Sequence, residues 1–281
     1  MTSTTLTAIP QRRAPFQGHL SQWRVTVSEL TKFRSLRSTG YSLLAAVVLT
    51  IGLSAVAATV TASHWTSMSL HDRATFDALS VSTIGVTFAL LAIGVLGVLT
   101  VTNEYTSGMI RSTLAAVPKR LPVLWAKAAV FSGVTLLVML PTSVVGFLTG
   151  QAILHGHTFN GHDISLSLSD PGVARAVIGS AVYVTLAGLL AMGLGAILRS
   201  TAGGISAFVA LFFVITPLVN ILPSSWQNAI SPYLPANAGT AMTEIGHHAH
   251  TLGPWTGLAV LAAYTAAIFA VAAVQLRRRD A

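Results

Sequence analysis

The residues able to do chemistry in this chain are few, and most lie in short clusters. His155-Gly156-His157 with His162-Asp163, and His247-His248-Ala249-His250, place imidazoles at spacings that could hold zinc or copper. Polar loop composition explains them equally well, and the reading taken here is no metal site. Gly204-Ile205-Ser206 is a faint nucleophile-like triplet, but no histidine lies within the apolar stretches to serve as its base. The chain has no cysteine, which removes disulfides, thiolate nucleophiles and Cys-ligated metal. It also has no GxxxxGK[ST] phosphate loop, and none of its three lysines follows a glycine. The chain therefore reads as no enzyme and holds no cofactor of its own; any ATP hydrolysis must occur elsewhere.

The elements that would carry these residues are apolar. Of 281 residues, 53% are hydrophobic and 9% charged, where a soluble domain carries roughly 25% charged residues. Six stretches are long enough to cross a hydrocarbon core as helices: Tyr41 to Thr61, Leu79 to Val101, Pro122 to Thr149, Val173 to Leu198, Gly203 to Leu222 and Trp255 to Leu276. Each is continuous rather than alternating, which favours a helical bundle over a barrel. The expected fold is an all-α membrane protein of six transmembrane helices.

Charge orients it. With a cytoplasmic amino terminus, 14 of the 16 basic residues fall inside, leaving only Arg73 and Arg175 outside. Both termini are then cytoplasmic, and eight of the nine histidines are external. Trp65, Trp125, Trp226 and Trp255 fall at span edges, where amphipathic rings favour the headgroup layer. No Asp, Glu or His lies within the limits of these spans. Lys127 and Arg175 do, near ends from which long side chains reach water. Pro141 and Pro217 would kink their helices or free carbonyls. Gly94, Gly97, Gly188, Gly193 and Gly195 read as close-packing sites between helices.

Two segments outside the spans have structure of their own. Residues 1–18, rich in Thr, Pro and Arg, read as a disordered cytoplasmic tail without the apolar core of a signal peptide. From Leu20, the apolar positions Leu20, Trp23, Val27 and Leu30 form one helical stripe flanked by Arg24, Lys32, Arg34 and Arg37, as in an interfacial helix on an anionic leaflet. A solvated juxtamembrane segment that only fixes topology is the alternative. Between the second and third spans, Asn103 to Pro122 reads as a short helix with Glu104, Gly108, Arg111 and Ala115 on one small polar face. Tyr105, Met109, Ile110, Leu114 and Val117 occupy the rest. Such a helix could transmit a push from a docked protein or lie on the membrane surface.

Glu104, Gly108, Arg111, Leu114, Pro118 and Arg120 within EYTSGMIRSTLAAVPKR resemble the cytoplasmic signature of ABC-2 type transporter permeases, the membrane subunits of bacterial ABC exporters. SELTKFRSLRST (Ser28 to Thr39), GLGAILRSTAGG (Gly193 to Gly204) and YLPANAG (Tyr233 to Gly239) resemble their elbow segment, fourth-to-fifth-span turn and last external loop. The resemblance implies that residues 19–281 form the permease domain. It implies an elbow helix with Trp23, Glu29, Lys32, Arg34 and Arg37, and a coupling helix with Glu104, Tyr105, Gly108, Arg111, Leu114, Pro118 and Arg120. Both would contact a separate ABC ATPase subunit that binds ATP and Mg. The usual assembly has a second permease chain, identical or not, in the plasma membrane, moving a substrate the sequence does not name. Composition alone leaves two other readings open: an ion-coupled secondary transporter, disfavoured by the missing intramembrane ionisable group, and a non-transporting scaffold or sensor.

Overall fold

The computed structural model describes residues 22–106, 121–246 and 251–278. The chain is an all-α, six-span membrane protein. Helix α1 (Gln22–Ser35) precedes the first span, α2 (Arg37–His64). A short α3 (Leu70–Ala74) leads to the second span, built from α4 (Ala78–Thr83) and α5 (Gly85–Thr106). The third and fourth spans are α6 (Leu121–Leu154) and α7 (Val173–Leu198). The fifth combines α8 (Thr201–Val209), a π-helical turn at Ala210–Val214 and α9 (Ile215–Val219). Short helices α10 (Ser224–Ile230) and α11 (Pro235–Thr240) lead to the sixth span, α12 (Pro254–Arg278). All six expected spans are present, the fourth with the limits read from the sequence.

Helix α7 is the hub: 61% of its apolar stretch is buried, against 22% for the first and fifth spans. Small residues make this enclosure possible. A Cβ at Gly97 would collide with Gly188 O, and one at Gly188 would meet the Phe131 ring and Ile93, so α5 and α7 approach backbone to backbone. Gly94 faces the Phe208 ring, Gly193 faces Ile268, and Gly195 lies against Val98. All five glycines assigned to close packing occupy helix contacts. The apolar centre runs through Ile93, Leu96, Phe131, Leu190, Met192, Phe208 and Leu261.

The prolines act differently from each other. Pro141 sits inside an unbroken α6. Pro217, which has no N–H to donate, follows the π-helical turn in which Ile215 N–H reaches back to Ala210 O, one residue further than an α-helix requires.

At the end of the bundle opposite α1, Thr158–Phe159 and His162–Asp163 pair as a two-stranded hairpin. Asn160 and Gly161 turn it with φ of 52° and 82°, the left-handed pair that a tight hairpin turn needs. Trp65 corrects an expectation. It is 3% exposed rather than turned to the headgroups, its indole N–H donating to Thr158 O at 3.1 Å and its ring packing on Phe76. Trp125, Trp226 and Trp255 are exposed.

Candidate functional site

Helix α1 turns one narrow face to the bundle. Val25, Glu29 and Phe33, at helical spacing, are its buried residues, while Trp23, Val27 and Leu30 are exposed. The stripe read from the sequence therefore points away from the protein, where an interfacial helix meets lipid; Leu20 lies outside the described residues. Phe33 packs edge-on against Phe131 at 6.3 Å between centroids, and Gln22 Nε2 donates to Pro122 O at 3.1 Å. These contacts hold α1 across the start of the third span.

Glu29 is the informative member of that face. Lys127, on α6, places its ammonium 2.6 Å from Glu29 Oε2 and 2.7 Å from Glu104 Oε1. Lys32 adds contacts of 2.8 Å to Glu29 Oε1 and 3.3 Å to Glu104 Oε1. Two carboxylates and two ammoniums thus form one neutral cluster joining α1, the end of the second span and the start of the third. Lys127, Glu29 and Glu104 have side chains only 7%, 5% and 6% exposed, which puts the cluster in the class of buried pairs whose removal piecemeal is costly. Burial alone would depress the Lys32 pKa, but the carboxylates of Glu29 and Glu104 more than offset it and raise it above 10.5. Glu104 Oε2 is buried without a hydrogen-bond partner among the described residues. A cavity of about 260 Å³ adjoins the cluster, lined also by Phe33, Thr100, Asn103 and Val130.

This arrangement corrects two expectations. The second span continues past Val101 to Thr106, so Asn103–Thr106 ends α5 rather than opening a separate helix, and Glu104 lies inside the bundle rather than on a partner-facing surface. A charged residue is therefore enclosed within a span. Lys127 does not reach out to water but is neutralised where it stands. The pairing of Lys127 was missed from sequence, although a lysine in an apolar span is a signal that a counter-ion must be near.

Neighbouring contacts tie in the fourth-to-fifth-span turn. Arg199 adopts φ 54° and stacks its guanidinium over the Tyr105 ring at 5.2 Å, while Thr201 Oγ1 donates to Thr102 Oγ1 at 2.9 Å. Of the other elbow residues, Arg34 is exposed and Arg37 opens α2. Gly108, Arg111, Leu114, Pro118 and Arg120 lie outside the described residues.

The histidine clusters are not convergent. His155 Nδ1 lies 3.0 Å from Asp163 Oδ2, whereas the Nδ1 atoms of His157 and His162 lie 3.2 Å from Leu154 O and Asn160 O. Among the described residues no group of three or more His, Asp or Glu side chains could hold a metal ion; His247, His248 and His250 lie outside them. Backbone amides of Ser165 and Gly156, with His155 adding to them, hold the Asp163 carboxyl down to about 2. Arg175, expected to reach water, instead donates to Met242 O at 3.1 Å and Glu244 O at 2.8 Å.

Fold and site together define a six-span helical membrane protein whose pre-span helix is locked to two spans by buried charge. No protein-family model matches the chain, and neither does any curated protein.

Proposed function

We propose that this chain is the permease subunit of an ATP-binding cassette transporter of the plasma membrane, exporting its substrate with a second permease chain and powered by separate ATPase subunits. The ABC-2 resemblance of the Glu104 to Arg120 segment motivates the reading, and one observation carries it. The residues flanking that segment, Glu104 and Lys127, are joined to each other at 2.7 Å and to Glu29 of α1. A push on the connecting segment would therefore move the ends of two spans and the elbow helix as one body rather than dissipate in a loose loop. In alternating access, nucleotide-driven closure of the ATPases would supply that push, and the spans would reorient around a cavity between the two permeases. Carrying 14 of 16 basic residues, the α1 end would face the cytoplasm.

The test exploits a chain without cysteine. Single cysteines at Ser107 or Ser112 should crosslink to an ATPase that co-purifies from native membranes, and Gly108→Trp should abolish ATPase capture while leaving expression and membrane insertion intact. Failure of any ATPase to co-purify, with crosslinks to lipid probes alone, would remove the reading and move the ion-coupled carrier ahead.

A further inference from the structure

At the end of the bundle opposite α1, a cavity of about 460 Å³ opens between the second span, the fourth span and the residues following α11. Its size lies within the range of sites for small organic molecules. Asp77 and Glu244 line it, and no Lys, Arg or His does. Most of its hydroxyls have already spent their single proton on helix carbonyls. Thr83 Oγ1 donates to Leu79 O at 2.8 Å, Ser180 Oγ to Ala176 O at 3.0 Å, and Thr243 Oγ1 to Thr240 O at 2.8 Å. A hydroxyl carries one donor and two acceptor lone pairs, so these groups offer the cavity lone pairs. Asp77 accepts from Leu79 N and Ser80 N at 3.0 and 3.3 Å through Oδ1 alone, which leaves carboxylate acceptor capacity unused.

An independent feature marks the same space. Tyr183, on α7, is 4% exposed and lines the cavity. Its hydroxyl makes no hydrogen bond to a described residue, although buried tyrosine hydroxyls ordinarily find a partner. The ring is held in place by Gly239, where any Cβ would strike it, and by Phe212 at 6.4 Å. The tyrosine is thus fixed with its polar group toward the cavity.

We infer that this cavity binds a small organic ammonium ion, its N–H donors met by hydroxyl lone pairs, the Tyr183 oxygen and carboxylate. Anions meet two carboxylates without a balancing cation in the wall. Neutral polyols need donors as well as acceptors from the protein. A bare metal ion requires a clustered ligand set that the described residues do not contain. The inference stands on the cavity and not on the ATPase-coupled reading, because binding is read on the full chain without any partner.

The experiment titrates the detergent-purified full chain with spermidine, sucrose and glutamate by calorimetry. Spermidine should bind saturably, and the other two should not. Asp77→Asn keeps a residue suited to cap α4, and Tyr183→Phe keeps the ring against Gly239; each should weaken spermidine binding by about tenfold, the loss of one charge-assisted hydrogen bond. Ser180→Ile should block the cavity outright, and thermal unfolding of each variant verifies that it is folded. Absence of saturable spermidine binding, wild-type affinity in Asp77→Asn or Ser180→Ile, or preference for sucrose or glutamate would overturn the assignment.

Discussion

Lys127 Nζ and Glu29 Oε2 lie 2.6 Å apart although the two residues are separated by 98 positions, one within a membrane span and the other in a helix that precedes all spans. Neither residue is tolerable alone in so enclosed a place. Together with Glu104 and Lys32 they form a neutral group whose members each satisfy the others.

Lys127→Met should therefore be among the most destabilising changes at this end of the bundle, costing about 3–5 kcal/mol by leaving two buried carboxylates with Lys32 alone. Adding Glu29→Gln and Glu104→Gln should recover most of the loss, because the uncompensated charge is removed with its partner. Thermal unfolding in detergent decides; a triple variant no better than the single one would contradict the account.

Gly97→Ala should be costly and Gly133→Ala harmless. The added Cβ at 97 meets the rigid backbone oxygen of Gly188, whereas nothing lies within 4 Å of a Cβ at 133. The cost at 97 should be about 1–3 kcal/mol, as for overpacking, while 133 gains helix propensity. Comparable folded yields of both variants would show that α5 and α7 separate easily.

The hairpin next to His155 should loosen in acid. Asp163 is depressed from 3.8 to about 2 in the folded chain, so its contribution is present above the unfolded pKa and is lost as pH falls through that interval. Hydrogen exchange at the Gly156 and Ser165 amides, which donate to this carboxylate at 3.0 and 2.8 Å, should accelerate between those values. Asp163→Asn should exchange fast at every pH, and protection that is independent of pH would refute the assignment.

Reporter fusions after Ser112 and Leu276 should report one side of the membrane, and a fusion after Thr158 the other. The expectation rests on the distribution of basic residues. Opposite signals at Ser112 and Leu276 would be incompatible with an even number of spans between the termini. Chain freed of other ATPases should hydrolyse no ATP, since it has no phosphate loop; turnover by such a preparation would refute that.

The number and positions of the spans were legible from the chain because bilayer crossing is a one-dimensional requirement: about 20 consecutive apolar residues suffice, whatever packs beside them. The packing glycines were legible for a related reason, since a glycine inside an apolar helix has little other use than to admit a neighbour. The hairpin turn at Asn160-Gly161 was missed, although that dipeptide is a strong local signal.

What local sequence determined was therefore hydropathy, helix length and turn chemistry. What only the tertiary structure decided was which polar groups share a space. Periodicity assigned α1 its apolar stripe, yet the face turned inward is that of Val25, Glu29 and Phe33, because three distant charges make that face the favourable one to bury. The same holds for Tyr183, Ser180, Thr83 and Asp77, which lie on different helices and become one cavity wall only when α7 packs against the second span. Partnering of buried charge and hydrogen-bond capacity is a property of positions in space, and spacing along a single helix carries no record of it.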